Sequence, residues 1–333
     1  MLKSFQGFQP KQFVYVILTG LFFWLPAFLY PGHFPARIVI YSSPASPVLE
    51  PLARLSGPAA AILSFLFWFL TGWLQVFMNT RHHYLKSRTL LPLFFILTLS
   101  TPMLGFFELN NLNLTFPFLL IALHLVFGTY RNNKVDFAYF SAALWVGVAS
   151  LICVKTSAFL IIIWISLLSI RPFYFHEWFS SLAGFITPWF LLAGFHFLQT
   201  DEIASLSQAV VRDFMNVYQT VTPDISRWIF LAYLGFLLLV SSVSLFFSLP
   251  GFKIKTRKFY GVLFWIILVS VVVVILFSSM WLAFLPLFSL FFSVIASFYF
   301  MAKRVSFLKR LFFDLYLAGL VYIVVEGVVK NVL

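Results

Sequence analysis

Long apolar runs separated by short polar segments make up most of the chain. A helix that crosses a bilayer needs about 20 mostly apolar residues, and eleven runs approach this length. The runs are residues 12–30, 58–78, 89–107, 114–130, 136–154, 156–170, 179–198, 228–248, 259–279, 281–301 and 311–328. The pattern predicts an all-α fold in which residues 1–333 form one integral membrane domain, a polytopic transmembrane bundle of about eleven helices.

The fifth and sixth runs lie close together, because only Lys155 interrupts the apolar sequence between them. Residues 136–170 are therefore either a tight helical hairpin or a single long helix, and we favour the hairpin. The first run has a long apolar core and no cleavage site of small residues after it. It therefore predicts an uncleaved membrane anchor.

Two longer polar segments, residues 31–57 and 199–227, have the spacing of amphipathic helices. In the first, Ser46 and Pro47 are typical of a helix N-cap and the first helical position. The apolar face of the helix that follows consists of Val48, Leu49, Leu52 and Leu55. This segment predicts a short helix on the outer membrane surface.

In the second polar segment, apolar residues recur every three or four positions, which is the helical period. The apolar face consists of Ile203, Leu206, Val210, Phe214 and Val217. The opposite face consists of Glu202, Gln208, Arg212, Asp213 and Asn216. The bundle is therefore expected to carry two interfacial helices on its outer side.

Composition excludes a soluble domain of this size. Hydrophobic residues make up 62% of the chain and charged residues 10%, against about 25% charged residues in average soluble domains. The single cysteine, Cys153, excludes an intrachain disulfide and a metal site built on several cysteines. Membrane lipids are thus the first expected partners.

The net charge of +12 would suggest nucleic acid binding in a soluble protein. Here the basic residues lie in short clusters between the apolar runs, and no nucleic acid partner is expected. If the N-terminus is inside, the inner segments hold 16 of the 22 basic residues. The positive-inside rule then predicts a bacterial inner-membrane protein with a cytoplasmic N-terminus and a periplasmic C-terminus.

An inner turn between the sixth and seventh runs contains the stretch RPFYFHEWF. Its polar residues and its tryptophan are Arg171, His176, Glu177 and Trp178. Aromatic residues settle at the level of the lipid headgroups, so the stretch is either a turn at the membrane surface or a docking edge for a partner. In both alternatives His176 and Glu177 face water or headgroups.

Residues 80–200 resemble a family of uncharacterised multi-pass inner-membrane proteins of Bacteroidetes-type bacteria. The residues that carry the resemblance are Asp136, Gly147, the Arg171-Pro172-Phe173 turn, Glu177-Trp178, Gly184 and Pro188. The resemblance implies a bacterial inner membrane and no mechanism.

A looser resemblance is to multi-pass glycosyltransferases that use polyprenyl-phosphate-linked sugars, which also have a surface helix in the first outer loop. It implies an acidic residue there as general base, and Glu50 is the acid that this loop offers. Arg37 and Arg54 would hold a lipid phosphate, although either could pair with Glu50 instead. The remaining candidate binding residues are His33, Asp201, Glu202 and Asp213. The chain lacks the Asp-x-Asp pair of acids, which puts catalysis in doubt.

His124 is the ionisable residue deepest in an apolar run. It is either a neutral histidine hydrogen-bonded across a helix interface or a contact for a substrate or a proton. His82 and His83 are adjacent and point to different helix faces, so we predict no metal site, and the sequence indicates no cofactor. The basic clusters 252–259 and 302–310 either only orient the chain or bind anionic lipid or an acidic partner.

Three functions remain open. The first is a non-catalytic membrane subunit of a cell-envelope assembly for biogenesis, secretion or polysaccharide export, with membrane-protein partners. The second is a glycosyltransferase or polymerase acting on lipid-linked sugars at the outer face, so it stays open whether the chain is an enzyme. The third is a small-solute transporter, for which the isolated prolines at 26, 188 and 286 give no paired helix breaks.

Overall fold

The computed structural model of the protein describes residues 5, 7–31, 38–55, 57–105, 108–130, 137–170, 174–200, 204–215, 223–276, 285–301 and 306–332. The elements of its first half are α1 (Pro10–Leu29), β1 (Ile38–Val39), α2 (Ser46–Ala53), α3 (Gly57–His82), α4 (Leu91–Leu99), β2 (Leu109–Asn110), α5 (Asn111–Leu114), α6 (Phe116–Gly128), α7 (Ala138–Ile152) and α8 (Phe159–Ile170). Those of its second half are α9 (Phe175–Thr200), α10 (Ala204–Met215), α11 (Ile225–Ser248), α12 (Ile254–Leu276), α13 (Leu285–Phe300) and α14 (Phe307–Val332). Short 3-10 helices cover Pro102–Leu104, Val154–Ala158 and Leu249–Gly251.

Seven helical segments of the described chain are long and apolar enough to cross a membrane. They are Pro10–Leu29, Gly57–His82, Asn111–Gly128, Phe175–Leu198, Ile225–Gly251, Ile254–Val273 and Phe307–Lys330. About eleven spans are not confirmed, because the other four runs form α4, α7, α8 and α13, of 9, 15, 12 and 16 residues. The protein is an all-α membrane protein in which shorter apolar helices pack among the long ones.

Helices α4 and α13 form the centre of the bundle. Every residue of α4 is buried, and so is all of α13 except Leu285 and Phe288. A helix that is apolar on all its faces is stable inside a bundle of other helices, and α4 contacts α1, α3 and α13. The third apolar run is thus a core helix about 14 Å long.

The fifth and sixth runs form a hairpin, as we favoured. Helix α7 ends at Ile152, Cys153 has an extended backbone, and a 3-10 turn leads into α8. The extended residue breaks the ladder of helical hydrogen bonds, so residues 137–170 do not form one long helix. The turn at Val154–Ala158 lies at the end of the bundle that also carries α2 and α10.

Two glycines bring α7 and α9 into close contact. A Cβ added at Gly147 would lie 2.6 Å from the carbonyl oxygen of Phe185, and one added at Gly184 would overlap the carbonyl oxygen of Phe140. Small residues allow such close approach of helix backbones, and packing of this kind drives helix association in lipid. Both glycines therefore hold the hairpin against α9.

We expect Gly184→Val to destabilise the protein by about 1–3 kcal/mol, because the added side chain must push the α7 backbone away. Gly194→Val is the matched control, since it lies on the same helix and its added Cβ would meet nothing within 4 Å. Thermal unfolding of both variants in detergent measures the difference. Equal unfolding midpoints would contradict the close packing of α7 and α9.

Candidate functional site

Four segments meet at one end of the bundle and form what we call the polar cap: residues 38–55, 108–115, 153–158 and 204–215. Strands β1 and β2 pair in parallel there, with Ile38 opposite Leu109 and Val39 opposite Asn110. The amide of Ala45 donates to the carbonyl oxygen of Leu151 at 3.0 Å. Residues 38–55 are therefore attached to residues 108–115 and to the hairpin of α7 and α8.

The amide side chain of Asn111 joins three parts of the polar cap. Its Oδ1 accepts from the backbone N–H of Tyr41 at 2.8 Å, and its Nδ2 donates to the carbonyl oxygens of Tyr41 at 3.1 Å and Ile152 at 2.9 Å. Asn111 is fully buried. Because an unpaired buried polar group costs about 1–3 kcal/mol, this single amide stabilises the connection between the first loop and the hairpin.

A buried acid and a buried amine connect α10 to the hairpin turn. The backbone N–H of Val154 donates to Oδ2 of Asp213 at 2.5 Å, and Nζ of Lys155 donates to the carbonyl oxygen of Asp213 at 2.6 Å. Asp213 is 0% exposed and Lys155 is 4% exposed. Lys155 lies in the turn, outside the seven long apolar segments; burial lowers the pKa of its amine, while Cys153 and Asp213 oppose that shift.

Asp213 corrects the expected face assignment of the second polar segment. The helical period placed it on an exposed polar face, but it lies on the inner face of α10 while Phe214 is half exposed. The reason is the backbone N–H of Val154, which needs an acceptor that an apolar residue at position 213 would not supply. The carboxylate of Asp213 therefore supports the polar cap.

Helix α2 also differs in detail from the expectation. The N-cap is Ala45, so Ser46 and Pro47 are the first and second helical residues, and the Ser46 hydroxyl donates to the carbonyl oxygen of Ser43. Val48 is exposed, whereas Leu49 and Leu52 pack against the core. The apolar face of α2 is therefore narrower than the sequence predicted.

Glu50 and Arg54 are both exposed at the polar cap, Glu50 on α2 and Arg54 directly after it. The ion pairs of the described residues do not include this pair. The other candidate residues that the sequence indicated, His33, Arg37, Asp201, Glu202 and Arg171, lie outside the described residues.

Two polar atoms inside the polar cap are buried without a hydrogen-bond partner among the described residues. They are the Oγ of Ser43 and the Oδ1 of Asn113. The Nδ2 of Asn113 does donate to the carbonyl oxygen of Glu108 at 2.6 Å. Buried polar atoms without a protein partner indicate a place for water or a polar ligand.

His124 forms a hydrogen bond across the interface of α3 and α6. Its Nδ1 lies 2.9 Å from Nε2 of His82, and the ring centroids are 4.7 Å apart. Sequence reasoning considered His82 only with its neighbour His83. The helical period places His82 on the buried face of α3 with Gln75 and Met78, but it does not indicate His124 as its partner.

The predicted docking edge is only partly exposed. His176 is exposed as expected, but Glu177 is buried with 4% exposure, and Trp178 stacks on Trp164 with ring centroids 5.5 Å apart. Glu177 turns inward because it opens α9 where this helix packs against α7 and α8. Among the described residues of this edge, the surface is therefore formed by His176, Tyr174 and Phe175, without the carboxylate of Glu177.

Comparison of the chain with protein-family models, with curated proteins and with solved structures finds no match. Within the described residues there is also no group of three His, Cys, Asp or Glu side chains that could hold a metal ion. The polar cap is thus the candidate site on its own geometry, because it combines the buried Asn111, Lys155 and Asp213 with the exposed Glu50 and Arg54.

We expect Asn111→Leu to loosen the polar cap, because it leaves the N–H of Tyr41 and the carbonyl oxygens of Tyr41 and Ile152 unpaired. The expected loss is about 2–4 kcal/mol of stability. Cys153, the single cysteine, is fully buried beside these groups. Its labelling by a maleimide reagent in native membranes therefore reports opening of the polar cap.

The control is Gln208→Leu, which makes a polar-to-apolar change at an exposed position of α10. Cys153 should stay protected in this control and in the unchanged protein. If Asn111→Leu also leaves Cys153 protected, the amide does not hold the polar cap together.

Proposed function

We propose that this chain is a multi-pass inner-membrane subunit of a bacterial cell-envelope assembly that serves biogenesis, secretion or polysaccharide export. In this proposal the N-terminus is cytoplasmic, the C-terminus is periplasmic and the polar cap faces the periplasm. The concentration of basic residues in the loops of the opposite end supports this orientation.

The observation that carries the proposal is the outward face of α10. Val211, Phe214 and Met215 lie on this face, and Val211 is 57% and Met215 72% exposed. The helix is fixed in this rotation, since the buried Asp213 on its other side binds the turn at Val154. An apolar strip that the fold holds outward is suited to contact a partner.

Polar residues at the edge of this strip favour a protein as that partner. Gln208 and Arg212 are exposed beside it, and Nη2 of Arg212 donates to Oε1 of Gln208 at 3.5 Å. An apolar centre with a polar rim is typical of protein interfaces. The partner would be a second envelope subunit whose apolar side chains cover Met215 and Val211.

We expect a photo-crosslinking amino acid at Met215 to capture one discrete protein in native membranes. The same amino acid at Leu239, a 67% exposed residue of the α11 span, is the control and should capture lipid only. Val211→Glu combined with Met215→Glu should abolish the cross-link and the co-purification of that protein at an unchanged level of this chain. Cross-links to lipid alone from both positions would refute the docking proposal.

A transferase for lipid-linked sugars is the second candidate, because the polar cap offers groups that a sugar could bind. The Oγ of Ser43 and the Oδ1 of Asn113 have no hydrogen-bond partner among the described residues, and a sugar hydroxyl would reach these buried atoms when the polar cap opens. Glu50 is exposed in the same polar cap and would act as the general base.

If the chain is such a transferase, Glu50→Gln should reduce transfer of sugar from a polyprenyl-phosphate donor by about 100-fold or more. The measurement is incorporation of radiolabelled sugar into the envelope glycans of cells that contain the variant at normal level. Glu326→Gln, the same change in α14, is the control. Unchanged incorporation in the Glu50 variant would show that Glu50 is not a general base and would contradict the transferase proposal.

A further inference from the structure

A cavity of about 500 Å³ opens at the end of the bundle opposite the polar cap, which we call the basic end. It lies between the end of α6 and the beginning of α12, and its lining residues are Tyr130, Phe252, Lys253, Ile254, Lys255 and Arg257. The lining combines three cations with two aromatic rings and one aliphatic side chain.

The cations at this cavity lack acidic partners in the described part of the chain. The first turn of α12 contains no acidic residue, and the ion pairs that the described residues show for Lys330 lie at the polar-cap end. A helix N-terminus carries a partial positive charge of its own. Among the described residues, the positive charges of Lys253, Lys255 and Arg257 therefore lie together without a neutralising acid. Nζ of Lys255 also lies 5.5 Å from the centre of the Phe259 ring, a contact that leaves its charge in place.

The neighbouring lysines do not neutralise the positive charge at the cavity. Nζ of Lys258 donates to the carbonyl oxygen of Ile170 at 3.2 Å and lies 5.9 Å from the centre of the Tyr130 ring. Nζ of Lys86 lies 5.3 Å from the centre of the Phe252 ring. These contacts add positive charge around the cavity and hold its aromatic walls in place.

The depth of the cavity distinguishes a lipid from a soluble anion. It lies where the segment Asn111–Gly128 ends and the segment Ile254–Val273 begins, which is the level of the headgroups on this side of a bilayer. Below it, Phe264 and Trp265 of α12 are exposed and would contact acyl chains. A ligand here can place a phosphate among the cations and its chains along α12.

We propose that the basic end binds one anionic phospholipid, with its phosphodiester against Lys253, Lys255 and Arg257 and its glycerol against Tyr130 and Phe252. Basic cavities between the ends of membrane helices have the charge and shape for such headgroups. The site does not depend on the envelope-subunit proposal, because its cavity and cations are the same in either orientation of the chain.

The test compares two triple variants that remove the same charge from the same end. The first is Lys253→Gln, Lys255→Gln, Arg257→Gln, and the matched control is Lys11→Gln, Arg88→Gln, Arg310→Gln, whose residues are exposed and do not line the cavity. Full-length protein in detergent is titrated with phosphatidylglycerol or phosphatidylcholine, and bound lipid is counted by native mass spectrometry.

The unchanged protein and the control should retain one phosphatidylglycerol and prefer it over phosphatidylcholine. The cavity variant should bind phosphatidylglycerol about 10- to 100-fold more weakly, as expected when three cations near a phosphate are removed. Equal loss in both triple variants would mean diffuse attraction of charges and would overturn the site. The single variant Arg257→Glu should give the same direction of change if the triple variant is poorly folded.

A second arm separates the lipid from a soluble phosphate. Glycerol phosphate or inorganic phosphate at millimolar concentration should not displace the bound phosphatidylglycerol, because the acyl chains contribute to its binding. Complete displacement by either small anion would show that the cavity recognises phosphate alone, and the proposed lipid site would then be wrong.

Discussion

The pairing of polar groups inside an apolar bundle is the constraint on which the rest of the structure depends. Each helix end leaves backbone groups without an intrahelical partner, and an unpaired group in hydrocarbon costs several kcal/mol. Helix α4 ends inside the bundle and meets this requirement through α1. Nε1 of Trp24 donates to the carbonyl oxygen of Leu97 at 3.3 Å. The hydroxyl of Thr101 donates to the carbonyl oxygen of Phe23 at 2.7 Å. The short core helix therefore determines where α1 lies.

The need to pair buried polar groups gives most buried polar residues of the described chain a structural role. Nε2 of Gln75 on α3 donates to the carbonyl oxygen of Leu290 on α13 at 2.9 Å, and its Oε1 accepts from the hydroxyl of Ser293 at 2.5 Å. The side-chain amide of Asn111 likewise pairs with backbone groups of other segments in the polar cap. The atoms that this pairing leaves over, such as Oδ1 of Asn113, are the more informative ones for function, because the fold itself does not use them.

The apolar pattern located the helices well but could not count the membrane spans. Each of the eleven predicted runs overlaps a helix, yet hydropathy does not distinguish a run that faces lipid from one that is surrounded by protein, and α4 is the second kind. The difference depends on contacts with α1, α3 and α13 that are distant in sequence. The break between α7 and α8 was predicted from Lys155, a charged residue within the apolar sequence and therefore a local signal.

The sequence predicted the exposure of a candidate site residue only where the helical period determines which way its side chain points. Exposure of Glu50 on α2 follows from the helical period. Burial of Asp213 does not, because it depends on the N–H of Val154, 59 residues away in the chain. The pair of His82 and His124 likewise joins residues 42 positions apart. A single sequence contains no signal for such contacts, so the polar cap could be located but its hydrogen bonds could not.

The charged residues at the two ends of the bundle differ in their partners. At the polar-cap end, charged groups are paired within the chain: Lys330 lies 2.6 Å from Glu326 and 3.2 Å from Asp224, and Lys155 contacts Asp213. At the basic end, Lys253 and Arg257 are exposed beside a cavity without such partners among the described residues. Orientation in a membrane requires only that these cations be present on one side. Their concentration around one aromatic-walled cavity at the start of α12 is a separate property, and it is the property that the proposed lipid site would explain.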